Sequence, residues 1–142
     1  MLYHSFFQAQ ESEKRMEQKE SRELPEYLEE ESYKYEILFG RIEMDGTVEN
    51  TVLNAWRSNG AVFGEGSVHL VSLWGVEDGL VINYHAGLMV EEEGGVIFFE
   101  KTDPILPFQL SRFPSIDEMK AYLLGREGVS DQNAVFIDDR PV

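Results

Sequence analysis

The stretch VINYHAGLMVEEEGGVIFFEK, residues 81–101, decides how the second half of the chain folds. Two apolar runs flank EEEGG, whose glycines supply the positive backbone angles that a hairpin turn requires. The spacing predicts two antiparallel strands, about 79–90 and 95–101. Side chains alternate along a strand, so His85, Gly87 and Met89 are expected on one face and Tyr84, Ala86, Leu88 and Val90 on the other. Both faces are largely apolar, as in a central strand. A loop with an even number of residues, either 92–95 or the two glycines alone, returns Phe98, Glu100 and Thr102 on the face of His85. With the four-residue loop, Glu100 falls opposite Gly87 and diagonal to His85. Diagonal Cβ atoms lie roughly 7 Å apart, and a glycine between them leaves room for a contact. A carboxylate that holds one ring nitrogen fixes the imidazole tautomer and leaves the other nitrogen to take a proton. His85 would then be a general base and Glu100 its orienting partner. The same spacing also describes a half-buried histidine satisfied by a nearby acid, with no chemistry to do.

Outward from the hairpin, TVENTVLNAWRSNG (47–60) carries Val48, Val52, Ala55 and Trp56 at spacings of three and four, with Gly60 as a C-terminal cap. It reads as an amphipathic helix. SVHLVSLWG (67–75) is short, rich in valine and leucine and closed by glycine, which predicts a strand. SIDEMKAYLLG (115–125) opens on a capping box, Ser115 and Glu118, places Ile116, Met119, Tyr122 and Leu123 on one side, and ends at Gly125. NAVFID reads as a final strand. The expectation is an α+β domain over residues 36–142, a small antiparallel meander packed by two helices. It is preceded by an acidic arm over residues 1–35, helical or disordered, in which QAQESEKRMEQKESR offers little for docking beyond Met16 and the preceding Phe6 and Phe7.

The 142 residues, 42% hydrophobic, suit one domain with a single core. A formal charge of −15, from 27 acidic and 12 basic residues, repels phosphate backbones and anionic lipid heads, so neither nucleic acid nor a membrane surface is an expected partner. The opening MLYHSFFQAQ has no basic stretch followed by a long apolar run, and nothing approaches the roughly 20 apolar residues that span a bilayer. A soluble, unexported protein is the resulting expectation, cytoplasmic or of undetermined location. The chain contains no cysteine, which excludes disulfides, thiolate metal sites and a thiol nucleophile of its own.

In order, YEILFGRI, HLVSLWG, NYHAGLMVEEEGGVIFFEK, LPFQLSRFPSIDEMKAYLL and AVFIDD resemble the C-terminal portion of an uncharacterised bacterial family with a papain-like amidase fold, related to the NlpC-type cell-wall hydrolases. The resemblance covers roughly the last hundred residues. In those families a His-x-Gly opens the strand of the catalytic histidine, matched by His85 and Gly87. A Glu-Lys ends the next strand, matched by Glu100 and Lys101, and a Pro-aromatic-Gln follows, matched by Pro107, Phe108 and Gln109. The resemblance implies amide-bond hydrolysis, with His85 as base, Glu100 orienting it, and Gln109 as an oxyanion-type donor or third orienter. The residue-level alternative for Gln109 is a structural hydrogen-bonder in a proline-flanked loop. Those families also use a cysteine at a helix start upstream of the histidine, where the helix terminus and an imidazole activate the thiol. No cysteine stands here, and Ser5, Thr47 and Ser58 are poorly placed to replace it. The implication is a truncated or degenerate member without activity of its own, or one whose missing N-terminal segment comes from another chain.

His69 shares a face with Val71 and Leu73 and reads as a core or edge histidine. A zinc site from His69, His85 and Glu100 matches no short metal motif, and no cofactor is expected. A second class of function has equal standing: an acidic, immunity- or inhibitor-type protein that binds a basic partner. A catalytic site predicts His85 and Glu100 lining an open cleft, whereas a binding role predicts them packed, with apolar surface exposed elsewhere.

Overall fold

A computed structural model describes residues 26–142, with side-chain surroundings from residue 33 onward. Most of the expected acidic arm, with Phe6, Phe7, Met16 and Ser5, lies outside the described residues. Helix α1 (Glu26–Phe39) leads into a short strand β1 (Ile42–Glu43) and helix α2 (Val48–Ser58). Strands β2 (Val68–Glu77), β3 (Leu80–Glu92), β4 (Gly95–Glu100) and β5 (Gln109–Phe113) follow, then helix α3 (Ile116–Leu124), β6 (Asn133–Ile137) and β7 (Arg140–Pro141). Among the described residues no helix is long and apolar enough to cross a membrane.

The class is α+β, and the described strands form one antiparallel sheet of seven, in the order β5-β4-β3-β2-β6-β7 with β1 beside β3. The meander β2-β3-β4 is its centre. The sheet extends further than expected because β6 joins the free side of β2, from Val71↔Ile137 to Gly75↔Asn133, and β5 joins β4. Strand β5 corrects the placement of Gln109 in a loop. QLSRF is short and bounded by Pro107 and Pro114, which read as loop punctuation but are tolerated at the ends of an edge strand.

The sheet is covered on both faces, and the alternation along β2 shows it. Leu70 and Trp74 join Leu38, Val52, Trp56 and Phe136 beneath α1 and α2. Val71 and Leu73 join Met89, Phe98, Met119 and Leu123 beneath α3. Strand β2 is therefore buried on both sides, which is why its sequence is nearly continuously apolar. Helix α2 buries the stripe Val48, Thr51, Val52 and Trp56, and Thr47 is its N-cap, its hydroxyl accepting from the Asn50 N–H at 3.1 Å. The C-cap is Asn59, with Gly60 one position beyond in the left-handed region at φ 72°. Ser115 caps α3 by accepting from the Glu118 N–H at 3.2 Å.

One irregularity bears on the site. The β2–β3 register slips between Leu73 and Trp74: Leu73 faces His85, Trp74 faces Asn83, and Tyr84 has no partner on β2. An extra residue in one strand of an antiparallel pair is a β-bulge, which breaks the alternation of faces. Tyr84 thus packs with the α3-side cluster, while Ala86 packs on the other side, so the expected grouping of Tyr84 with Ala86 is corrected. The Tyr84 ring occupies the space over Gly75, where a Cβ would meet it at 2.1 Å. The Asn83 amide bridges the disrupted ladder, donating to the Leu73 carbonyl at 3.3 Å and to the His85 carbonyl at 3.2 Å.

Candidate active site

The β3–β4 hairpin pairs Glu92 with Gly95 and closes over Glu93 and Gly94, with Gly94 in the left-handed region at φ 87°. The loop thus has an even number of residues, in the register of the four-residue alternative, with Glu91 opposite Val96 and Leu88 opposite Phe99. One step further, that register sets Glu100 across from Gly87 and diagonal to His85. The contact is made: His85 Nε2 lies 2.7 Å from Glu100 Oε1. The missing Gly87 side chain makes space mainly for Phe98, since a Cβ there would stand 2.6 Å from its ring. That ring packs edge-on to the imidazole at 6.3 Å between centroids.

Two further side chains complete the cluster. Tyr122 Oη donates to Glu100 Oε2 at 2.7 Å, and Arg126 Nη1 donates to Glu100 Oε1 at 3.2 Å. The Glu100 side chain is 0% exposed, that of His85 9% and that of Arg126 28%. A buried carboxylate demands such a donor set, because burial of an unpaired charge is strongly unfavourable. Burial pushes the Glu100 carboxyl up, but the hydrogen bonds from His85 and Tyr122, with the charges that the imidazole and Arg126 carry in the acid range where a carboxyl titrates, outweigh it and hold Glu100 below its ordinary value. Tyr122 is pushed up, by burial and by the hydrogen bond to and charge of Glu100.

The spacing along α3 puts Tyr122 on its apolar side, and nothing in that pattern marks Arg126. The signal was present: positions 122 and 126 are one helical turn apart and reach one point from a helix end. The ordinary preference of a tyrosine for the core concealed it. Gln109 does not join the cluster. It stands across from Glu100 in the β4–β5 register and is exposed, and among the described residues its side chain makes no hydrogen bond to the side chain of His85 or Glu100.

His69 forms a second pair, unrelated to the first. Its Nδ1 lies 2.7 Å from Asp138 Oδ2, and Asp138 Oδ1 accepts from the Leu70 N–H at 2.9 Å. Asp138, at φ 53°, turns β6 into β7, so this pair ties that turn to β2. Among the described residues no three His, Asp or Glu side chains converge on a metal position. A cleft of about 460 Å³ lies between the start of α2 and the segment leading into β6, lined by Met44, Thr47, Glu49, Asn50 and Asp131 among others, and shares no residue with the His85 cluster.

Along the β4 side of β3, β1 pairs residues 80–81 and β4 pairs residues 88–92. Between them, residues 82–87 have no strand partner on that side among the described residues, and His85 lies in this gap. Fold and cluster together define an α+β antiparallel-sheet domain with a carboxylate-held imidazole at a break in the pairing of its longest strand. Residues 4–136 match the model of DUF4300, a domain of unknown function, and the chain belongs to that family. No curated protein and no solved structure matches it.

Proposed function

We propose that this chain is a degenerate papain-like, NlpC-type amidase domain that keeps the proton-accepting half of an amide-hydrolase site and lacks its nucleophile. The single observation that supports the reading most is the 2.7 Å contact between His85 Nε2 and the buried Glu100 carboxylate. Held in this way, the ring carries its proton on Nε2 and offers Nδ1 as the base. A thiol would have to come from outside the chain, since the sequence contains no cysteine. The chain alone is expected to hydrolyse no amide. Supplied with 2-mercaptoethanol and p-nitrophenyl acetate, it is expected to accelerate thiolysis, His85 taking the thiol proton as sulfur attacks the carbonyl and p-nitrophenolate leaves. The expected gain over His85→Ala is about tenfold, at the low end of general-base effects because a diffusing thiol is not positioned. Equal rates for the two proteins would sink the reading.

A second reading, an acidic interaction protein for a basic partner, is favoured by a different observation. His85 and Glu100 are packed rather than lining an open cleft, while Ile105 is 90% exposed and Leu110 60% exposed, with Leu106 and Phe108 between them also exposed. Apolar side chains gathered in this way mark contact surfaces, and a charge of −15 selects a basic partner. Under this reading the chain retains a basic protein from a cell extract, and a variant with Ile105→Asp and Leu110→Asp loses it. Retention by both chains, or by neither, counts against the surface.

A further inference from the structure

We propose that Arg126 is a positioning residue that sets the charge of the His85–Glu100 pair: its guanidinium balances the buried carboxylate, so that the imidazole on the same oxygen stays uncharged and Nδ1 stays free to accept a proton. This inference rests on the proton-acceptor reading and deepens it.

The geometry makes the two cations competitors. His85 Nε2 and Arg126 Nη1 both address Glu100 Oε1, at 2.7 and 3.2 Å, while Tyr122 occupies Oε2. The titratable groups around the ring among the described residues include Glu100 from β4, in direct contact, Tyr122 from α3 and Arg126 from the turn after it, both through Glu100, and Tyr84, which the bulge turns to the same face and whose hydroxyl donates to the Val76 carbonyl. Strand β2 presents Leu73, which does not titrate. An ionised Glu100 and a guanidinium sum to zero, and a neutral imidazole leaves that balance intact. An imidazolium would place a second positive charge beside Arg126 in a site whose carboxylate is 0% exposed, an arrangement that burial penalises. Without Arg126 the balance reverses, because the carboxylate would then be compensated only if the imidazole took a second proton. Arginine suits the task, since it stays charged at every accessible pH. Its place is set locally, one residue beyond the α3 cap Gly125, with its own N–H donated to the Leu123 carbonyl at 3.3 Å.

The test is the ¹⁵N spectrum of the His85 ring in the full chain at pH 7, where a protonated and an unprotonated ring nitrogen give well-separated signals. The parent is expected to show Nε2 protonated and Nδ1 unprotonated. Arg126→Gln is expected to convert the ring to the doubly protonated form, whereas Arg126→Lys, which keeps the charge, leaves it neutral. Tyr122→Phe, which removes a hydrogen bond but no charge, also leaves it neutral. A folded Arg126→Gln chain with a neutral ring overturns the proposal. If that chain does not fold, an imidazolium in Arg126→Lys or in Tyr122→Phe overturns it equally. A parent ring that is neutral but protonated on Nδ1 overturns the proton-acceptor reading instead, and leaves the charge role of Arg126 to be judged from the variants.

Discussion

Replacing Glu100 with alanine is expected to cost about 3 kcal/mol at neutral pH, the low end for breaking a buried charge pair because Arg126 can turn toward water. The carboxylate is the single acceptor for His85, Tyr122 and Arg126, so its loss strands donors on two elements at once. Strand β4 and the end of α3 are joined through it. Glu100→Gln keeps the volume and a carbonyl acceptor, and is expected to cost less. The effect depends on pH in a definite sense. Glu100 is held below its ordinary value in the folded chain, so its charge stabilises the fold above the unfolded carboxylate value, about 4.3. That stability is lost as pH falls through the lower folded value. Urea unfolding of the parent and Glu100→Gln should therefore differ most at neutral pH, and the two curves should converge in acid. A gap that widens on acidification would contradict the assigned direction.

The second large effect is expected at Trp56, where substitution by alanine should remove about 3–5 kcal/mol, the range for a buried tryptophan. Its indole lies against Phe63 at 4.9 Å, Phe136 at 5.1 Å and Trp74 at 6.0 Å between ring centroids. Its Nε1–H donates to the Leu38 carbonyl at 3.1 Å. That carbonyl lies in the last turn of α1, where the helix supplies no donor of its own. Trp56 therefore closes α1 and fills the core beneath α2 with one side chain. Trp56→Phe keeps most of the packing and leaves the carbonyl unpaired, so about 1–3 kcal/mol of the loss should appear in that variant. Denaturant titrations of the three chains separate the contributions, and a Trp56→Phe chain as stable as the parent would show that water replaces the indole at no cost.

The parts of this fold that were legible are those in which local rules and tertiary packing agree. Ser115, Glu118 and Gly125 mark α3 at both ends, and the four-residue spacing of Val48, Val52 and Trp56 marks the buried side of α2. Hairpin parity brought Glu100 to the face of His85. What escaped has physical reasons. Strands β1 and β7 are two residues long and carry no periodicity. Strand β5 is masked by its flanking prolines, and the pairing of β6 with β2 is a contact between segments some sixty residues apart. The bulge at Tyr84 leaves no mark beyond Asn83, a residue type depleted in strands, and its effect is to turn two successive side chains to one face. Within the site, the carboxylate acceptor was legible and two of its three donors were not, because a helix and the turn after it deliver them from outside the hairpin.

The most direct test that His85 and Glu100 form one unit is a double-mutant cycle with His85→Ala and Glu100→Ala, measured by urea unfolding at pH 7. Residues sharing a hydrogen-bonded network couple by about 0.5–3 kcal/mol, whereas independent sites add to within about 0.3–0.5 kcal/mol. The expected coupling is at least about 1 kcal/mol, diminishing in acid as the pH falls through the lowered carboxylate value of Glu100. Additivity at pH 7 would contradict the pair, and with it the role of His85 as a carboxylate-held base.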